Sequence, residues 1–173
     1  MALPGDETIL AAMTDSRTAS DAVTIRRATD DDTELVIVGR LRFLCDVRGL
    51  TPDGLSDEFL TANRRFIERT HGRSFHSWLA TTDRDVVGIV SLVIFDAPPR
   101  PEERRDADGY VVNMHVVPEH RRRGIGRRLI ERCMRDAEAE GVRRFTLHAT
   151  ADGRPLYESL GFVDEPGWMN RYA

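Results

Sequence analysis

The most restrictive feature of the sequence is a change of hydrophobic period between residues 109 and 140. The run "GYVVNMHVV" is short and rich in β-branched residues, as a strand is. After "PEHRRRGIG", Ile125, Leu129, Cys133 and Ala137, with Ile130 and Met134, recur at helical spacing and form one buried stripe. A strand that gives way to a helix across this segment leaves the helix's first turn at the edge of a sheet. The chain must therefore be a sheet with helices packed on it, a mixed α/β (α+β) arrangement.

The rest of the chain alternates in the same way. Residues 23–28 predict a short strand, and Asp30, Asp31 and Asp32 supply the cap and first-turn acids of a helix with Leu35, Val38, Leu41 or Arg42, and Cys45 on its stripe, ending near Gly49. The turn-rich "GLTPDGLSDE" leads into a second helix over 56–69, with Phe59, Phe66 and Ile67 inward. Residues 75–81 and 86–95 predict an antiparallel hairpin joined at "TTDRD". The Pro-rich, charged loop 96–109 follows, then a strand over 109–117, a helix over 124–140, a strand over 143–149, a short helix over 155–160 and a terminal β pair. Residues 1–21, small and polar, are expected to form a disordered leader outside a single domain spanning 22–173.

Composition then excludes several classes. A formal charge of -4 argues against a surface built for nucleic acid, so any basic site is local. No run of residues is long and apolar enough to suggest a membrane span. The two cysteines, Cys45 and Cys133, lie far apart in apolar helical contexts, and reduced thiols in a cytoplasmic protein are expected rather than a disulfide framework. The 173 residues suffice for one self-sufficient core.

Five arginines fall within residues 121–128, interrupted by Gly124 and Gly126, where the strand meets the helix. Helix N-termini carry unpaired N–H groups and the positive end of the macrodipole, and glycines let an anion approach the backbone. This pattern predicts a phosphate cradle; a solvated basic helix start is the alternative. A Walker loop would need a lysine after its second glycine, and a dinucleotide fingerprint would need a third glycine near Leu129; neither is present.

The segment "RRRGIG", residues 121–126, resembles the pyrophosphate loop Q/R-x-x-G-x-G/A of the GNAT acetyltransferases, which move an acetyl group from acetyl-CoA to an amine. The preceding "MHVVPEH" resembles that family's L-x-V-x-P strand end, and "RPLYESLGF", residues 154–162, its tyrosine-helix-GF element. The three occur in the family's order on a matching run of strands and helices from about residue 23 onward. The resemblance implies a mostly antiparallel central sheet of about 6–7 strands flanked by about 4 helices, with strands 4 and 5 splayed to hold CoA.

Position by position, the resemblance implies that backbone groups of Met114, His115, Val116 and Val117 pair with the pantetheine arm, one N–H stabilising the oxyanion. Arg121, Arg122, Arg123, Gly124, Ile125, Gly126 and Arg127 would surround the pyrophosphate. Tyr157 matches the family's general acid toward the departing sulfur. With a phenol pKa of about 10 and a thiol pKa of about 8.5, full proton transfer is uphill by roughly 2 kcal/mol, a gap the helix dipole is expected to narrow. Many family members carry asparagine where this chain has Thr150.

The acceptor amine must lose a proton before attack. Strict alternation predicts Val112, Met114 and Val116 on one face of the strand and Asn113 and His115 on the other, making His115 a candidate base and Asn113 a candidate for orienting substrate. His76 is a weaker candidate, and His148 is expected to be structural. The acids Asp53, Asp57, Glu58, Glu102 and Glu103 are candidates for attracting a cationic amine, and solvated surface acids are the alternative. The expected acceptor is a small-molecule amine, with neither nucleic acid nor membrane as partner. A homodimer is possible through a terminal β pair carrying Trp168 and Tyr172. The rival classes are a non-catalytic acyl-CoA sensor of the same fold and a nucleic-acid binder using the clustered arginines.

Overall fold

The computed structural model describes residues 22–83, 85–96, 98, 107–165 and 171. In chain order they form β1 (Thr24–Arg27), a 3-10 turn (Asp30–Asp32), α1 (Thr33–Arg48), α2 (Asp57–Thr70), β2 (Phe75–Thr81), β3 (Val86–Asp96), β4 (Ala107–Val116), α3 (Ile125–Ala139), β5 (Val142–Leu147) and α4 (Arg154–Glu158). The strands make one sheet in sequence order, antiparallel from β1 to β4, with β5 parallel to β4. The helix count matches expectation, and the described residues hold five strands rather than six or seven. The expected terminal β pair, with Trp168 and Tyr172, lies outside the described residues, as do Glu102 and Glu103.

Both faces of the sheet are covered, which is why β2 is buried along nearly its whole length instead of alternating. On one face, Leu129, Ile130, Cys133 and Ala137 of α3 pack with Trp78, Val90, Leu92 and Val111. The Trp78 indole N–H donates to Asp136 Oδ2 at 2.7 Å, so the largest core side chain is also satisfied. On the other face, Val36, Ile37 and Leu41 of α1 and Leu60 and Ile67 of α2 pack with Phe75, Leu79 and Ile89. Leu35, expected on the buried stripe of α1, is 38% exposed, because Val36 and Ile37 occupy the inward positions of its first turn.

Short polar side chains hold the turn leading into α1 and the start of α2. Asp32 accepts from the Thr29 backbone N–H at 2.8 Å and from both terminal nitrogens of Arg26, at 2.6 and 2.7 Å. These bonds, led by that from Arg26, hold its carboxyl well below the usual carboxylate range. Ser56 Oγ accepts from the Phe59 N–H at the start of α2.

Candidate active site

The parallel pairing of β4 with β5 runs only from Ala107 and Val142 to Val111 and Leu147. β5 ends there, while β4 continues to Val116, so among the described residues the later part of β4 has no strand partner on its β5 side. On its other side, Val112 pairs with Ser91 and His115 with Ile89, so Asn113 and Met114 together oppose Val90 in a β-bulge. Asn113 carries the irregularity with φ 54°, a left-handed conformation that asparagine tolerates better than most residues.

This bulge corrects the expected alternation. Val111, Met114 and Val116 belong to the α3 side, whereas Val112 packs with the α1 and α2 cluster. Asn113 and His115 also face α1: Asn113 Oδ1 accepts from Arg40 at 2.7 Å, and His115 Nε2 lies 3.8 Å from Asp46 Oδ2. The extra residue puts the consecutive Val112 and Asn113 on one face. His115 is 8% exposed, and this burial lowers its pKa to about 4 against the opposing pull of Asp46. The imidazole is neutral at neutral pH.

Downstream of β4, a 3-10 turn over Pro118–His120 leads to Arg121, and Arg122 and Gly124 both take positive φ, 61° and 75°. Gly124 is the N-cap of α3; no side chain caps that helix, and no acid stands in its first turn. A Cβ on Gly126 would lie 3.1 Å from Met114 Cε and 3.4 Å from Leu156 Cδ2, so glycine here lets α3 start close against β4 and α4. Most of the clustered guanidinium groups have protein partners, Arg123 among them. Arg121 donates to Val116 O and Asp46 Oδ2, both at 2.8 Å, Arg127 to Ser159 Oγ at 2.6 Å, and Arg128 to Val23 O at 2.9 Å. The backbone at the head of α3, rather than these side chains, is what remains to meet an anion.

Tyr157 sits in α4 at 9% exposure, its ring 5.8 Å from that of Phe162 in an edge-on contact. Its hydroxyl has no hydrogen-bond partner among the described residues, and burial raises its pKa, the opposite of the expected dipole effect. Thr150 Oγ1 accepts from the Gly153 N–H at 3.2 Å and so holds the turn into α4.

His76 and His148 are engaged elsewhere. His76 uses both ring nitrogens, with Arg27 at 2.8 Å and the Arg73 carbonyl at 2.9 Å, and His148 Nδ1 pairs with the Tyr110 hydroxyl at 2.8 Å. Asp53, Asp57 and Glu58 are exposed at the α1–α2 connection and the start of α2. Two polar residues that sequence reasoning passed over meet beneath α1 and α2: Arg40, and Asn63 at 5% exposure. The signal for Asn63 was its helical spacing between Leu60 and Ile67, a polar side chain on a buried stripe. Among the described residues, no cluster of metal-binding side chains occurs and no helix is long and apolar enough to cross a membrane.

The sheet that parts between parallel β4 and β5, beside a glycine-started helix and a tyrosine helix, has the architecture of an acetyltransferase. The chain belongs to the acetyltransferase (GNAT) family, whose model matches residues 43–162. A predicted acetyltransferase of Clostridium acetobutylicum, solved with acetyl-CoA, superposes with TM-score 0.72 at 24% identity, over 87% of this chain and 96% of that one. A GCN5-related N-acetyltransferase of Ralstonia eutropha superposes with TM-score 0.69 at 27% identity, over 87% and 99% of the two chains. N-alpha-acetyltransferase 40 of Saccharomyces cerevisiae is 40% identical over 68 residues, 34% of this chain and only 24% of that protein.

Proposed function

We propose that the protein transfers an acetyl group from acetyl-CoA to a primary amine of a small molecule. The observation that carries this reading is the parting of β4 from β5 after Val111 and Leu147, next to the uncapped start of α3. The residues fit the cosubstrate. The unpartnered edge of β4, through Met114, His115, Val116 and Val117, offers backbone groups to a pantetheine amide chain. The turn from Arg121, Arg122 and Arg123 through Gly124 to Ile125, Gly126 and Arg127 offers N–H groups and positive charge to a pyrophosphate.

The transfer is a direct substitution at the thioester carbonyl. The amine nitrogen forms the new N–C bond, a β4 backbone N–H stabilises the oxygen as it gains charge, and the C–S bond breaks. The departing sulfur takes the Tyr157 proton; the phenol, kept protonated by burial and without a hydrogen bond among the described residues, is in the right state to give it. The amine's proton leaves to solvent, which restores the phenol, so the products are an amide and a thiol. His115, neutral at physiological pH, serves as a hydrogen-bond acceptor for the amine N–H rather than as a proton store, and Asn113 orients the acceptor beside it.

Free, buried Cys45 and Cys133 support a reducing, cytoplasmic setting. The possible homodimer is tested by light scattering. The decisive test of function pairs calorimetric titration with acetyl-CoA and thiol-release assays on an amine panel. The expected outcome is stoichiometric binding, with turnover reduced about 10²–10⁴-fold in Tyr157→Phe at unchanged acetyl-CoA affinity. Full turnover in that variant removes the acid role, and absence of acetyl-CoA binding removes the function.

A further inference from the structure

Arg40 projects from the middle of α1 into the junction of α1, α2 and the β4 bulge. Its Nε donates to Asn63 Oδ1 at 2.8 Å and its Nη1 to Asn113 Oδ1 at 2.7 Å, while its guanidinium carbon lies 5.9 Å from the centre of the Phe66 ring. These partners are all neutral. Other arginines on this side have acids, Arg42 with Asp85 and Arg64 with Glu34, whereas Arg40 meets no carboxylate among the described residues. A half-buried cation with only neutral acceptors keeps much of its desolvation cost, because amide oxygens offset a charge less than a carboxylate does.

A second observation points the same way. Asn63 is 5% exposed, and its Nδ2 is buried with no hydrogen-bond partner. The amide orientation is fixed chemically: arginine only donates, so the Asn63 oxygen must face Arg40 Nε and the NH2 group is the one left over. A buried donor without an acceptor bears its desolvation cost unrelieved, and here it sits on the same carboxamide that holds the unneutralised cation. Asn113, the other anchor, directly precedes Met114, where the edge of β4 proposed to take the pantetheine begins. The spare donor and the spare positive charge therefore lie on the α1 and α2 face of the sheet, beside the β4 bulge.

We propose that Arg40 and Asn63 form the recognition site for an anionic group, of carboxylate or phosphate chemistry, on the acceptor amine. The proposal rests on the acetyltransferase reading above and narrows its substrate class to amines that carry a negative charge, such as amino acids or phosphoamines. The guanidinium supplies the charge and a forked donor edge, and the Asn63 NH2 supplies a second donor from α2. Asn113 and Phe66 keep the guanidinium in place.

The test compares matched acceptors that differ only in the anion: glycine and β-alanine against their carboxamides, and phosphoethanolamine against ethanolamine, read by thiol release. The expected result is at least a tenfold higher kcat/KM for the anionic member of one pair, and which pair shows it separates carboxylate from phosphate recognition. That preference should collapse in Arg40→Gln and in Asn63→Asp with acetyl-CoA affinity unchanged. Asn63→Asp gives Arg40 an internal carboxylate, so a purely structural role for this cluster predicts equal or higher Tm with substrate preference intact. Neutral amines used as well as anionic ones, or a preference that survives both variants, overturns the proposal. Should no amine be turned over although acetyl-CoA binds, transfer itself fails. Calorimetry of N-acetylglycine against N-acetylglycinamide, and of N-acetylphosphoethanolamine against N-acetylethanolamine, on CoA-saturated protein then decides the anion site. Tighter binding of an anionic member, lost in Arg40→Gln, supports it, and equal affinities in both pairs overturn it.

Discussion

Arg121 Nη2 donates to Asp46 Oδ2 at 2.8 Å, which ties the turn ahead of α3 to helix α1 across the end of β4. The same carboxylate oxygen lies 3.8 Å from His115 Nε2. Both ion-pair partners are more than a third exposed, so the bridge adds at most about 1 kcal/mol. Asp46→Asn is expected to shift Tm only slightly while lowering the titration midpoint of His115 below its value of about 4, because Asp46 is the group that raises it. An NMR titration of the imidazole checks this; an upward shift would contradict it.

The depressed pKa of His115 also has a sign in stability. The unfolded chain takes up this proton near the ordinary histidine value of about 6.5, while the folded chain resists it until pH about 4. Stability is therefore lost as pH falls through that window. Replacing His115 with glutamine should flatten the pH dependence of denaturant unfolding between those limits, and an unchanged slope would show that the imidazole is not held neutral.

Gly124 and Gly126 are expected to fail in different ways when changed to alanine. At Gly124 a Cβ meets nothing within 4 Å, but φ 75° strains any side chain, so Gly124→Ala should lose about 1–2 kcal/mol of stability. Gly126 is helical, and its Cβ would press on the mobile end of Met114, so Gly126→Ala should stay within about 1 kcal/mol of the parent because helix propensity offsets the crowding. Its effect should appear instead as weaker acetyl-CoA binding, since Met114 and the head of α3 border the same opening. Chemical denaturation and calorimetry on the two variants separate these outcomes.

Asp32 ties β1 to α1, and its depressed pKa makes its contribution one of neutral and mildly acidic solution. It is present above about pH 4, the ordinary aspartate pKa, and is lost as pH falls further through the folded value. Asp32→Asn should cost about 1–3 kcal/mol at pH 7, as expected for bonds to a buried charge. The stability of this variant should also depend less on pH than the parent's below about pH 4, as read by denaturant unfolding followed by circular dichroism at several pH values.

Much of the fold was legible because its signals are local. The stripe Ile125, Leu129, Cys133, Ala137 and the residues "RRRGIG" announce a buried helix and its start without knowledge of what lies around them. The faces of β4 were not legible in the same way. A bulge opposite Val90 is decided by how β3 and β4 pair, and it moves Val112 to the α1 side although the sequence alternates cleanly. The His115 pKa was missed for a related reason, since burial of one imidazole under α1 is a tertiary property. Arg40 stayed hidden because an arginine on an amphipathic helix ordinarily faces water; only the convergence of Asn63, Phe66 and Asn113 distinguishes it.

A sheet whose parallel pair stops at Val111 and Leu147 is one rung short of complete, and under the proposed function the missing rung is a small molecule. Any ligand that binds only the folded form adds RT ln(1 + [L]/Kd) to stability, about 2.7 kcal/mol at a hundredfold excess over Kd. The lifetime of this protein against unfolding and proteolysis would then track the local supply of acetyl-CoA, so starvation for acetyl groups would reduce the amount of enzyme as well as its rate.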